Sequence, residues 1–221
     1  MKNEQRFSPP LESYFTVRKD AAGRWEFRIE ETIQKLKEFA AQPHPVRLLG
    51  IPSFMYELLT RIENSPIQLP KGSSVMSGGG WKAAEDKSIT REAFRGMLSE
   101  RLGLNQDLIR DGYGMAEHSA PYMECRNHRF HIPVYNRIIA RDPVTLAALP
   151  PNEPGLLELI TPYNAMMPNL SILSTDLGKV ETDACACGRN APTFTVLGRA
   201  GLSKAKGCAI TADDIVKRKS A

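Results

Sequence analysis

The stretch VRLLGIPSFMYELLTRIE, from Val46 to Glu63, holds the pattern that decides the fold. Val46 to Ile51 is a short run with few polar positions, the composition of a strand inside a covered sheet. It passes directly into helical spacing, with Phe54, Leu58 and Leu59 on one face and Ser53 placed to cap the first turn of a helix running to about Glu63. The alternation repeats downstream. Ser73 to Ser77 reads as a second strand, three glycines follow, and Thr90 opens a helix with Phe94, Met97, Leu98 and Leu102 on one side. Strand, helix, strand, helix predicts a parallel α/β layer.

Working outward, residues 1–27 read as an irregular lead-in, polar and containing Pro9-Pro10. From about Arg28 a helix is expected. Ile29, Ile33, Leu36 and Phe39 or Ala40 recur at helical spacing, Glu31 precedes Lys35 by four residues, and Gln42-Pro-His-Pro45 ends the segment. After about residue 130 the texture changes to short β-prone runs between Pro, Gly and Asn: Leu156–Ile160, Leu170–Ser174 and Thr193–Leu197. These predict a small antiparallel, barrel-like β lobe. The expected organisation is therefore a partial α/β nucleotide-binding unit over 28–130, the β-rich lobe over 131–198 and a basic C-terminal segment over 199–221.

At 221 residues, with 42% apolar and 24% charged residues, the chain has the composition of a globular protein with a sizeable core. The net charge is +4, and the segment from Arg199 onward carries all of it, six basic residues against Asp213 and Asp214. A folded surface striped with positive charge is not indicated, so no nucleic-acid partner is expected. The N-terminus has no apolar signal region and no run approaches the length of a membrane span, which gives the expectation of a cytoplasmic protein. In that setting Cys125, Cys185, Cys187 and Cys208 are reduced thiols, ligands or nucleophiles.

Five constellations carry chemistry. Ser77-Gly78-Gly79-Gly80-Trp81-Lys82 lets backbone approach a ligand at a strand exit; a plain turn is the competing reading, and the spacing is not that of a P-loop. Tyr113-Gly114-Met115-Ala116-Glu117 puts an aromatic suited to stacking four residues from an acid suited to magnesium. Asp176, expected just after a strand, suits ribose hydroxyls, or else a strand-ending Asx turn. Arg199, Lys204 and Lys206 could meet phosphate or carboxylate, with Cys208 following Gly207. Finally, Cys125 and His131, with Cys185-x-Cys187 about 54 residues later, form a donor set for structural zinc. His128 competes for the imidazole position, and unliganded thiols are the alternative.

In this order, SGGGWK, YGMAEHSAPYMEC, STDLG, CACGRNAPTF and VLGR…KGCAI resemble the adenylate-forming ligase superfamily. Within it the chain is most similar to the acyl-protein synthetases of bacterial bioluminescence operons (LuxE-type), with phenylacetate-CoA ligases as nearer relatives than luciferases, over about residues 40–215. The resemblance implies ATP, AMP and magnesium as ligands. It implies that Gly78, Gly79 and Gly80 meet nucleotide and acyl group, that Tyr113 beside Gly114 stacks on adenine, and that Glu117 holds magnesium. Asp176 would bind ribose, Arg199 would stand at a hinge, and Cys208 would accept the acyl group. Cys125, His131, Cys185 and Cys187 resemble a metal set of the phenylacetate-CoA ligase branch.

The implied reaction is activation of a carboxylic acid, of fatty type, to acyl-AMP, followed by capture on a thiol. An acyl-reductase or other acyl-acceptor protein is the implied partner. The Ser/Thr/Gly-rich phosphate loop of the family is not found between Met1 and Gly78, and Ala116 stands where threonine is usual. The expectation is thus a fragment or half-enzyme completed by a chain supplying the N-terminal part, with an apolar face exposed where that part would dock. An aryl-CoA ligase fragment and a non-catalytic, zinc-stabilised nucleotide-binding module are the alternatives.

Overall fold

The computed structural model describes residues 9–81, 89–162 and 169–200. Val17–Lys19 (β1) and Trp25–Phe27 (β2) form a small hairpin that leads into Ile29–Ala40 (α1). Then come Arg47–Gly50 (β3), Pro52–Arg61 (α2), Ser74–Gly78 (β4), Arg91–Leu102 (α3), a 3-10 turn at Gln106–Leu108, Ile109–Tyr113 (β5) and Tyr122–Met123 (β6). The strands pair in the order β3-β4-β5-β6; the first three are parallel and β6 is antiparallel to β5.

One face of this sheet is closed by the helices. Val75 and Ile109 pack with Ile33 and Leu36 of α1, Leu58 and Leu59 of α2, and Leu98 and Leu102 of α3, all buried. Burying such a set removes most of each side chain from water, at roughly 1.5–3 kcal/mol apiece. The other face carries Leu49 and Met76, both substantially exposed.

Local chemistry sets the helix ends. Thr90 caps α3, its side chain accepting from the Ala93 N–H at 3.1 Å. Gly103 closes the same helix at φ +64°, with Gln68 packed where a side chain would project. Ser53 does not cap α2: the helix begins one residue earlier, at Pro52, because proline's fixed φ suits the first helical position and its missing N–H costs nothing there. Ser53 is buried inside the first turn. On α1 the Glu31–Lys35 pair is replaced by Arg28–Glu31 at 2.9 Å and by Lys35 held between Glu12 and Glu38.

Phe130–His131 (β7), Arg137–Arg141 (β8), Gly155–Ile160 (β9), Ser171–Glu181 (β10) and Thr193–Arg199 (β11) make an antiparallel sheet in the order β7-β11-β10-β9-β8. Its core is Tyr122, Phe130, Ile132, Ile138, Leu157, Leu159 and Phe194. β10 is much longer than the run expected to end at Ser174. Its pairing with β9 shifts between Leu173 and Leu177, and the irregularity lets the strand continue. Asp176 therefore lies within a strand, not after one. A bridge between Glu124 and Phe130 ties the two sheets together.

Candidate functional site

Three of the residues expected on the nucleotide side meet where β5, β10 and β11 come together. Tyr113 ends β5, and its hydroxyl donates to Asp176 Oδ2 at 2.8 Å. Arg199 is the register partner of Asp176, with Nε 3.3 Å from Oδ1. Both carboxylate oxygens are thereby engaged, and Ser174 Oγ accepts from the Asp176 N–H at 3.2 Å. The Tyr113 ring packs edge-on against Phe194 at 5.6 Å, near Tyr122 and Phe130. Burial, reinforced by the Asp176 charge, raises the phenol well above its ordinary range, so the hydroxyl is a donor throughout physiological pH.

Gly78 closes β4 in register with Gly112 of β5, and a side chain on Gly78 would press on the Gly112 carbonyl. Gly79 and Gly80 follow at φ +83° and +68°, conformations that glycine adopts without strain. Behind this loop lies a cavity of about 140 Å³, lined in part by Ser77, Gly80, Trp81, Arg91, Asp111 and Glu124. Ser77 donates to Asp111 Oδ1 at 3.0 Å, and burial raises the Asp111 carboxyl above the usual range.

Sequence reasoning passed over Asp111 and Glu124. The signal for Asp111 was present: Ser77-Gly78 and Asp111-Gly112 occupy the same register of adjacent parallel strands, so a hydroxyl and an acid stand side by side just before two glycines.

Gly114 is exposed beyond the strand, and Glu117 is exposed on the 116–118 turn, where its backbone carbonyl accepts from Asn169 Nδ2 at 3.2 Å. The neighbouring His118 is buried, stacked on Tyr122 with Nε2 2.7 Å from its hydroxyl. Lys82, Lys204, Lys206 and Cys208 lie outside the described residues.

The metal donor set converges. Cys125 comes from the β6–β7 connection, His131 from β7, and Cys185 and Cys187 from the turn between β10 and β11. Their ligand atoms all lie within 4.8 Å of one another. Cys125 Sγ is 3.7 Å from Cys185 Sγ, and Cys187 Sγ is 3.2 Å from His131 Nε2. Donors arranged tetrahedrally about one zinc at about 2.3 Å would stand about 3.6–3.8 Å apart, so the spacing suits such an ion.

His131 Nδ1 faces the Ala191 carbonyl at 3.2 Å, which leaves Nε2 as the donor atom toward the thiols. Burial lowers the imidazole's pKa and favours the neutral, ligating form. His128 points elsewhere, with Nδ1 3.6 Å from Glu124 Oε2. Arg129 straddles the loops, bonded twice to Asp183 at 2.8 and 2.9 Å and once to Glu181 at 3.2 Å.

Comparison with known proteins shows what the chain is similar to. The chain is 26% identical over 207 residues to the long-chain-fatty-acid–luciferin-component ligase of Aliivibrio fischeri, covering 92% of this chain and 53% of that protein. To the ligase of the same description from Vibrio harveyi it is 26% identical over 200 residues, covering 89% and 51%. The chain thus spans about half the length of these curated relatives.

Among solved structures it resembles an open conformation of 2-hydroxyisobutyryl-CoA ligase in complex with 2-HIB-AMP and CoA. The TM-score is 0.60 at 20% identity, over 78% of this chain and 39% of that one. Apo MatB from Rhodopseudomonas palustris is similar at TM-score 0.50 and 19% identity, over 75% and 33%. These likenesses show the fold, which this chain shares with part of each of these two proteins. The family described as acyl-protein synthetase, LuxE, matches residues 4–216, so the chain belongs to the acyl-protein synthetase (LuxE) family.

Proposed function

We propose that this chain carries the nucleotide-side machinery of an ATP-dependent acyl-protein synthetase, which activates a long-chain fatty acid and passes it to a thiol. The observation that carries the reading is the meeting of Tyr113, Asp176 and Arg199 at one end of two sheets, beside the Gly78–Gly80 loop. In the reaction a carboxylate oxygen attacks the α-phosphorus of ATP while the α–β phosphoanhydride breaks, giving acyl-AMP and pyrophosphate. A thiolate then attacks the acyl carbon, the acyl–phosphate C–O bond breaks, and AMP leaves.

The chain's own residues bind and orient. Each Asp176 carboxylate oxygen keeps a further lone pair for a ribose hydroxyl beside its bond to Tyr113 or Arg199, and Arg199, more than half exposed, can turn from Asp176 to a phosphate. The glycine loop admits backbone approach, and the cavity behind it is mainly apolar, with the Asp111 carboxyl as a polar group that can orient a base. Glu117 on its exposed turn would hold magnesium, whose charge offsets that on the phosphates. Cys208 is the proposed acyl acceptor, with an acyl-reductase as onward partner, in a cytoplasmic setting that keeps thiols reduced. Among the described residues no helix is long and apolar enough to cross a membrane. We assign Cys125, His131, Cys185 and Cys187 to one structural zinc, because three thiols and one imidazole leave no open position for chemistry.

Two measurements test this. Acid-dependent exchange of pyrophosphate into ATP, with thioester labelling lost in Cys208→Ser, is expected of the chain together with the remainder of a full-length family member. Neither activity with any acid of a broad panel overturns the reading. A second reading rests on Ala116, which offers no hydroxyl to a phosphate where the family's usual threonine would. A nucleotide-binding module without turnover would bind AMP tightly in calorimetry and exchange no pyrophosphate.

A further inference from the structure

Glu124 precedes Cys125, and its side chain is 1% exposed. Its Oε2 accepts from the Asp111 N–H at 2.8 Å, its own N–H donates to the Asp111 carbonyl at 3.0 Å, and its carbonyl accepts from Arg110 Nη1 at 3.3 Å. Arg95 Nη1 stands 3.7 Å from Oε1, and His128 Nδ1 3.6 Å from Oε2. One residue thus joins a thiol of the metal set to the strand that ends in Tyr113, and to the wall of the cavity that holds Ser77, Trp81 and Asp111. A carboxylate that accepts a backbone N–H inside a sheet sets the height of that strand. Its own position is fixed on the other side by the Cys125–Arg129 turn, where the Cys125 N–H meets the Arg129 carbonyl at 2.9 Å.

We propose that Glu124 is a positioning residue that couples the metal centre to the nucleotide side: occupancy of the four-donor cluster fixes Cys125, Glu124 carries that restraint to β5, and β5 presents Asp111 and Tyr113 to the nucleotide. The coupling is reciprocal, so a nucleotide tightens metal binding by the same factor that metal tightens nucleotide binding. The inference rests on the proposed nucleotide site and on the donor set. It predicts that Glu124→Gln, which removes the charge and leaves all four donors in place, separates the two sites without emptying either.

The test compares zinc-loaded wild type with zinc-loaded Glu124→Gln, both in a Trp25→Phe background so that emission reports Trp81 on the cavity wall. Glu124→Gln is expected to retain one equivalent of zinc, to bind AMP about tenfold more weakly by calorimetry, and to shift Trp81 emission. Stripping zinc from the wild type should produce the same two changes, and stripping it from Glu124→Gln should add less than about twofold. Unchanged AMP affinity and unchanged emission in Glu124→Gln overturn the proposal. Should the variant fail to fold, the stripped wild type decides: circular dichroism intact with a Trp81 shift supports the coupling, and no shift overturns it. Absence of AMP binding in every form, with the zinc-dependent Trp81 shift preserved, strikes the nucleotide reading alone.

Discussion

Tyr113 spends its two ends differently. The hydroxyl meets Asp176, whereas the ring supports the aromatic cluster of Tyr122, Phe130 and Phe194. Removing the hydroxyl leaves Asp176, only 14% exposed, with one acceptor unmet, a loss of about 1 kcal/mol. Removing the ring opens a cavity in a small core and should cost about 3 kcal/mol. Urea unfolding of Tyr113→Phe and Tyr113→Ala measures both; equal losses would mean that the ring contributes no packing. On the nucleotide side, Asp176→Asn should weaken AMP binding at least tenfold, since one acceptor becomes a donor facing a hydroxyl that must also donate. Unchanged affinity would remove Asp176 from the site. Tyr113 and Asp176 were singled out through the family resemblance of their motifs, since alone each reads equally as a packed tyrosine or a turn-forming acid. Asp111 was legible only by setting Ser77-Gly78 against Asp111-Gly112 across two strands, and Glu124 not at all, since its meaning comes from a contact thirteen positions apart that no local pattern encodes.

At the scale of elements, the proposed metal centre depends on two connections between strands. The β6–β7 connection supplies Cys125, and the turn between β10 and β11 supplies Cys185 and Cys187. Arg129 spans them through a two-point bond to Asp183 and a third bond to Glu181, so the two loops are held at ligand distance by a guanidinium fork that lysine cannot reproduce. Arg129→Lys should lower zinc affinity about tenfold in competition with a chromogenic chelator, although no donor is lost. Wild-type affinity in that variant would show that the ligands alone define the site. The helices were readable from their spacing, but their ends depended on competition between neighbours. Pro52 outranks Ser53 because a fixed backbone angle acts before a side-chain cap can, while Thr90, with no such rival, caps α3 as its sequence indicates.

Among the described residues there are two cores of unequal size. That of the parallel sheet draws on three helices, whereas that of the antiparallel sheet consists of seven buried side chains. β7, a two-residue strand, carries both Phe130 of this smaller core and His131 of the donor set, and β11, which pairs with it, follows directly on the loop bearing Cys185 and Cys187. A bound ion would therefore stabilise the smaller core by closing the chain between Cys125 and Cys187, and the free energy of metal binding would become free energy of folding chiefly for that part. Native-state hydrogen exchange in the presence and absence of a chelator separates this from a uniform effect. On metal removal the amides of 125–132 and 181–194 should lose protection by at least tenfold, while those of α1, α2 and α3 stay within about twofold, because local opening spans units that share contacts and not the whole chain. Equal loss in both regions would show that the two sheets unfold as one unit, and no loss in either would show that the cysteine and histidine cluster holds no structural ion.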